Sequence, residues 1–196
     1  KSDHVDLVKY LVENGEDVNI LDCLGRTALH VACISKNIDI VKYLIENGAN
    51  VNLQDKYGDT SLNLACKSYY NIDIVKCLVE NGADVNIKNN DGQTSLYQAC
   101  GTSDNIDIVK YLVENGADIN MQDEHRYNML HIACCIEANI DIVKYLIENG
   151  VDVNHQNQYG STALFHACRI RNNIDVVKHL VENGADVNIQ SSFDGY

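Results

Sequence analysis

The chain has 196 residues, 45% of them hydrophobic, with eight cysteines, no proline and a formal net charge of −13. The acidic balance disfavours non-specific nucleic-acid binding, which sets cations against phosphates, and no apolar run approaches the roughly 18 residues of a membrane span. Charged and polar residues fill the opening stretch, so no signal peptide is visible.

A period organises the whole sequence. Asn-Gly-Ala-Asp-Val-Asn or a near copy begins at Asn14, Asn47, Asn81, Asn115, Asn149 and Asn183, in steps of 33 and then 34. A fixed period in this range predicts a stacked array in which each unit buries its apolar face only against its neighbours. In chain order, 1–21 reads as the second half of a unit. Five full units follow at 22–54, 55–88, 89–122, 123–156 and 157–190, and 191–196 reads as the start of another. With no polar cap at either end, the sequence is expected to be a fragment of a longer array or a trimmed one.

Within 22–54, Asp22 to Gly25 signal a turn. Thr27 is a good N-cap for a first helix carrying Leu29, Ala32 and Cys33 at helical spacing. Asn37 can cap a second helix whose apolar stripe is Ile38, Val41, Leu44 and Ile45, with Asp39 in its first turn. Asn-Gly is also a strong hairpin signal, but a helical pattern precedes Asn47, so Gly48 is read as a helix stop. From the second unit on, an extra residue near Tyr69, Ser103, Glu137 and Arg171 lengthens the period to 34.

These residues, Asp22-x-x-Gly-Arg-Thr-Ala-Leu-His-Val-Ala-Cys33 followed by Ile38 to Asn52, resemble the ankyrin repeat, and the likeness covers essentially the whole chain. The tetratricopeptide repeat shares the period but lacks the Gly-Ala-Asp-Val-Asn connector and the Thr-x-Leu-His start. The resemblance implies an all-α repeat solenoid of paired antiparallel helices with β-hairpin-like connecting turns. It also implies a bridging role for His30, which would hydrogen-bond the capping Thr and the backbone of the connecting turns. The departures lie in the fourth unit: Arg126 stands where the turn glycine is expected and Asn128 where the capping Thr is, so His131 lacks the usual partner.

Cys33, Cys66, Cys100, Cys134 and Cys168 share one slot. Helices about 8–10 Å apart put them beyond the roughly 7 Å Cα separation a disulfide allows, so each is expected to be a small buried hydrophobe. Free thiols, together with the absence of any Asn-X-Ser/Thr sequon, point to an intracellular, cytoplasmic site, a host cytosol included. Phosphate loops, nucleophile elbows, Cys-x-x-Cys pairs and zinc-helix motifs are all missing from the sequence, and the adjacent Cys134 and Cys135 suit neither a zinc site nor an ordinary disulfide. No enzyme activity, cofactor or metal is therefore expected; His125 with Asp123 or Glu124 is the nearest to a metal set and has no specific spacing.

Family partners usually meet the concave side, built from turn tips and the exposed face of the first helices. Those slots hold Leu24, Arg26, Lys56, Tyr57, Asp59, Lys67, Lys88, Gln93, Glu124, His125, Tyr127, Ile136, Gln158, Tyr159 and Arg169. Bases outnumber acids slightly in the wider groove set, so it reads as mixed or weakly basic although the chain is acidic. Tyr57, Tyr127 and Tyr159 are the anchor candidates. The expected role is a monomeric, non-enzymatic module binding another protein, with no nucleic-acid or membrane partner. The alternative is the targeting or adaptor arm of a larger effector, ubiquitin-ligase adaptor or enzyme.

Overall fold

A computed structural model describes residues 2–68, 71–137 and 139–192, the side chains of 2–7 excepted. Tyr70, Ala138 and the tail 193–196 fall outside it, as does Tyr69, one of the positions assigned to the extra residue. The described residues form eleven helices: α1 (Ser2–Glu13), α2 (Ala28–Ile34), α3 (Ile38–Glu46), α4 (Ser61–Cys66), α5 (Ile72–Glu80), α6 (Ser95–Cys100), α7 (Ile106–Glu114), α8 (Met129–Ala133), α9 (Ile140–Glu148), α10 (Ala163–Arg169) and α11 (Ile174–Glu182). After α1 they pair, a short first helix with a longer second one. First helices pack on first helices and second on second down the array, giving an all-α solenoid.

The core is a set of columns. Leu44, Leu78, Leu112, Leu146 and Leu180 occupy one slot and are all fully buried, as are Val41, Val75, Val109 and Val143 in another. Leu11 holds the same leucine slot in α1 but is 43% exposed, because no first helix among the described residues covers it. A groove of about 700 Å³ lined by Val8, Ala28, Val31 and Ile38 lies there instead. Burial of a leucine is worth roughly 1.5–3 kcal/mol, so neighbouring units, rather than any one unit, hold the fold.

The helix stop at Asn-Gly forms as expected. Asn47 keeps φ −100° and Gly48 takes φ +89°. The Gly48 N–H donates to the Ile45 carbonyl and the Ala49 N–H to that of Leu44, a Schellman closure rather than a hairpin turn. The Asn47 side chain adds a bond to the Tyr43 carbonyl at 2.8 Å.

At each turn one side-chain oxygen accepts two backbone N–H groups. Asp22 Oδ1 takes those of Leu24 and Arg26, both at 2.8 Å, and Asp55, Asn89, Asp123 and Asn157 repeat the pattern. The tip carbonyl then accepts an N–H from the next tip: Leu24 from Lys56, Tyr57 from Asn90, His125 from Gln158 and Tyr159 from Ser192, at 2.9–3.0 Å. The rung between Asp91 and Glu124 is longer, 3.3 Å. So close are the tips that a Cβ on Gly58 would lie 2.6 Å from the Asn90 nitrogen. Arg126 adopts φ +61° at the equivalent position without being glycine, a conformation that costs an L-residue roughly 1–2 kcal/mol.

A second set of bonds clamps the connectors. Asn86 Oδ1 accepts from the Asp118 N–H (2.9 Å) while its Nδ2 donates to the Gly116 carbonyl (3.0 Å). Asn19, Asn52 and Asn154 do the same at their junctions. Asn120 is exposed and makes neither bond among the described residues. The connector it would clamp carries Val151, where the clamped ones carry Ala49, Ala83, Ala117 and Ala185. The junction of the third and fourth units thus has both the longest rung and the missing clamp.

The cap expected at Asn37 forms, and the expectation for Cys168 is corrected. Asn37 does cap α3, accepting from the Ile40 N–H at 3.2 Å, but its counterparts make no cap bond. Asn105, Asn139 and Asn173 instead donate to the carbonyls of Cys66, Cys100 and Cys134 in the preceding unit. Asn71, in a loop of the same length, donates to the Ala65 carbonyl of its own unit instead. The cysteine column is buried from Cys33 to Cys134, but Cys168 is exposed because no further unit covers it among the described residues. Burial pushes the Cys33 thiol up to about 12, which leaves it inert.

His30 bridges as the resemblance implies. The Thr27 hydroxyl lies 2.9 Å from Nδ1, and Nε2 is 3.1 Å from the Leu53 carbonyl and 3.2 Å from that of Asp59. At His131, Asn128 substitutes for the Thr: its Oδ1 accepts the His131 N–H (3.1 Å) and lies 2.6 Å from Nδ1, while Nε2 faces the Ser161 carbonyl at 3.0 Å. A hydroxyl can both accept and donate; an amide oxygen only accepts. The neutral imidazole that donates from Nε2 therefore presents a lone pair to the Asn128 oxygen, with the Asn128 N–H, 3.3 Å away, its one donor. Burial nonetheless holds His131 neutral, its pKa pulled down to about 4.

Two predictions follow from these contacts. Asn86→Ala, which removes both clamp bonds, should cost roughly 1–3 kcal/mol, whereas Asn120→Ala should cost less than about 0.5 kcal/mol. Denaturant melts compare the two variants, and hydrogen exchange should show the third junction opening first. Asn128→Thr should stabilise the fold by about 1 kcal/mol at pH 7 by restoring the donor. His131 has a folded pKa below its unfolded value near 6.5, so its contribution is present above that value and declines as pH falls toward about 4. The advantage of Thr should hold down to about pH 4 and shrink below it, where folded His131 takes up a proton and Nδ1 can donate to Asn128; melts from pH 7 to about pH 3 measure this.

Candidate concave interaction face

The turn tips and the first helices α2, α4, α6, α8 and α10 carry the candidate residues, and the turn scaffold fixes how each is presented. Tyr57 is 56% exposed, its N–H held by Asp55 and its carbonyl by Asn90. Lys56, Lys67, Lys88, Glu124, His125, Gln158 and Arg169 are exposed; Leu24, Arg26, Gln93, Ile136 and Tyr159 are partly so. His125 and Gln158 bond each other at 2.8 Å across neighbouring tips.

Two placements differ from the sequence reading. Asp59 is buried, 4% exposed. Its carboxylate accepts from Lys67 Nζ at 2.6 Å and from Asn89 Nδ2 at 2.9 Å, so it supports the turn and is not offered to a partner. Tyr127 is half-buried and packs on the core, with its ring 5.5 Å from His131 and 5.4 Å from His166. Burial first, then nearby Cys135, raises its pKa.

The weakly basic reading of the groove also changes. Arg26 pairs with Asp55 at 3.3 Å and Lys67 with Asp59. Lys56 donates to the Cys23 carbonyl and Lys88 to that of Gln122 at 3.1 Å. The four groove cations of the first three units are thus engaged within the array. Arg169 lies over the Phe165 ring, 5.7 Å from its centroid.

The sequence reading passed over Phe165 and His166. Phe165 falls in the bridging-histidine slot, which is buried in the other units, yet it is 40% exposed. Its position in the last described first helix was the available signal. Tyr97, in the same slot, is buried and donates to Asp123 Oδ2 at 2.8 Å; burial, then this bond, raises its pKa. Asp123 accepts that bond and two backbone N–H groups, and the described residues contain no group of three or more side chains arranged for a metal. None of the described helices is long and apolar enough to cross a membrane.

A family model for ankyrin repeats in three copies matches residues 1–55, 47–123 and 105–191. A search of curated proteins finds no match. Ankyrin repeats are generally protein–protein interaction modules and are typically non-enzymatic. With matched segments running through nearly all of the sequence and the helix-pair solenoid to accompany them, the chain belongs to the ankyrin-repeat family.

Proposed function

We propose that this chain is a non-enzymatic module that binds a partner protein along its concave face as a monomer. The observation that carries the reading is Tyr57: a large amphipathic side chain, mostly exposed, on a backbone held at both its N–H and its carbonyl. Rigid presentation lowers the entropy lost on binding, and tyrosine has few rotors to freeze. Leu24, Lys56, Gln93, Glu124, His125, Ile136, Gln158, Tyr159 and Arg169 extend the surface. Asp59 and Tyr127 support it from below. Free thiols throughout the described array suit a reducing, intracellular compartment.

Tyr57→Ala should weaken a captured partner by about 2 kcal/mol and leave the thermal melt unchanged. Pull-down with mass spectrometry identifies the partner, and titration measures the loss. Loss of less than a few tenths of a kcal/mol would place the binding surface elsewhere.

A further inference from the structure

Apart from the concave face, we propose a second docking site on the groove between α3 and α5. It takes an aromatic side chain of a partner protein, tyrosine or phenylalanine, with a basic residue beside it. The ring lies under Lys42, and the basic residue meets the carboxylates of Glu46, Asp73 and Glu80.

The second helices carry a column of half-buried rings, Tyr43 in α3, Tyr111 in α7 and Tyr145 in α9. Over each ring lies a lysine of the preceding second helix. Lys9 covers Tyr43, Lys76 covers Tyr111 and Lys110 covers Tyr145, with Nζ 5.5, 5.7 and 5.9 Å from the centroids. Ammonium and ring face attract each other in this arrangement. A glutamate of the preceding helix acts on the same rings. Burial first, then Glu80, raises the Tyr111 pKa, and burial, then Glu114, raises that of Tyr145. Each ring thus has a defined seat, between a lysine and a glutamate one turn apart on the neighbouring helix.

In α5 the seat is built and the ring is missing. The slot holds Cys77 there and His179 in α11. Lys42 and Glu46 stand where Lys76 and Glu80 stand beside Tyr111. Among the described residues Lys42 has no ring beneath it and no ion pair. A groove of about 640 Å³ opens at this point, lined by Lys42, Ile45, Glu46, Asp73, Cys77 and Glu80. Second helices continue on both sides, α1 against α3 and α7 against α5, so the gap is internal to the array. The period itself therefore names what fits: the group that the neighbouring units supply from their own chain.

Charge narrows the partner further. Three carboxylates face the groove against Lys42 and Lys76, and Lys76 already lies over Tyr111. A basic neighbour of the incoming ring is favoured there and an acidic one is repelled. The thiol contributes space rather than reactivity. Burial first raises the Cys77 pKa; Lys42 lowers it, and Glu80 and Glu46 raise it again, so the protonated, unreactive form prevails at pH 7.

The test uses a short peptide with tyrosine between two arginines, followed through the amide resonances of the whole isotope-labelled chain. One counterpart has alanine for the tyrosine and another has glutamate for the arginines. The first peptide should bind at least about fivefold tighter than either and shift resonances of α3 and α5. Cys77→Tyr should fill the seat, abolish binding and raise the melting temperature. Lys42→Gln, at an exposed position, should weaken binding several-fold, whereas the same change at Lys144 on α9 should leave it unaltered. Absent binding at millimolar peptide, equal binding of the alanine peptide, full binding by folded Cys77→Tyr, or equal losses in Lys42→Gln and Lys144→Gln would each overturn the proposal. Should Cys77→Tyr not fold, the two lysine variants decide it.

Discussion

The array depends on a single side-chain oxygen in each turn. Asp22, Asp55, Asn89, Asp123 and Asn157 each accept two backbone N–H groups and so fix the turn. Only then does the tip carbonyl point at the N–H of the next tip. The spacing of the rungs sets the distance between units, and that distance decides what fits between helices: small residues on the first helices, leucine and valine columns on the second. It also demands the left-handed turn position, where Gly58 leaves no room for a Cβ. The acidic residues of these slots are part of that machinery, so the net charge of −13 describes the scaffold more than the partner.

Because each unit touches only its neighbours, stability is approximately a sum over junctions. Here the junctions are unequal. Four connector clamps are made and the one at Asn120 is not, and the tip rung at the same junction is the longest. Arg126 and the Asn128–His131 contact add strain just beyond it. Departures from the repeat therefore gather in one place, the fourth unit, which also supplies Tyr127 to the aromatic cluster. Local sequence rules fail there together, the pattern expected where a site draws on stability elsewhere.

Much of the fold was legible because it is periodic. The helix stop at Gly48, the cap at Thr27 and the bridge through His30 each follow from residue chemistry at one position, and the period repeats the lesson. What escaped was contact between units. Asn37, Asn71 and Asn105 look alike in sequence, yet the first caps its own helix, the second bonds Ala65 of its own unit and the third bonds the unit before it. Asp59 sits in a slot that other units fill with Arg26, Gln93 and Tyr127, and its burial arises from Lys67 and Asn89, which no local window relates to it. Exposure at the array's ends escaped for the same reason: Leu11, Cys168 and Phe165 occupy slots that are buried elsewhere.

Counting charges along the groove failed in the same way, and the failure is instructive. A lysine at a turn tip lies one unit away from a carbonyl that faces it, so the period that builds the array also gives its own cations acceptors. Lys56 and Lys88 reach back and forward by one unit to do so. A cation stays available only where the unit opposite offers no acceptor. Arg169 has no ion pair among the described residues and lies over the Phe165 ring. In an array of near-identical units, recognition thus resides less in which residues occupy the variable slots than in which of them their neighbours leave unanswered.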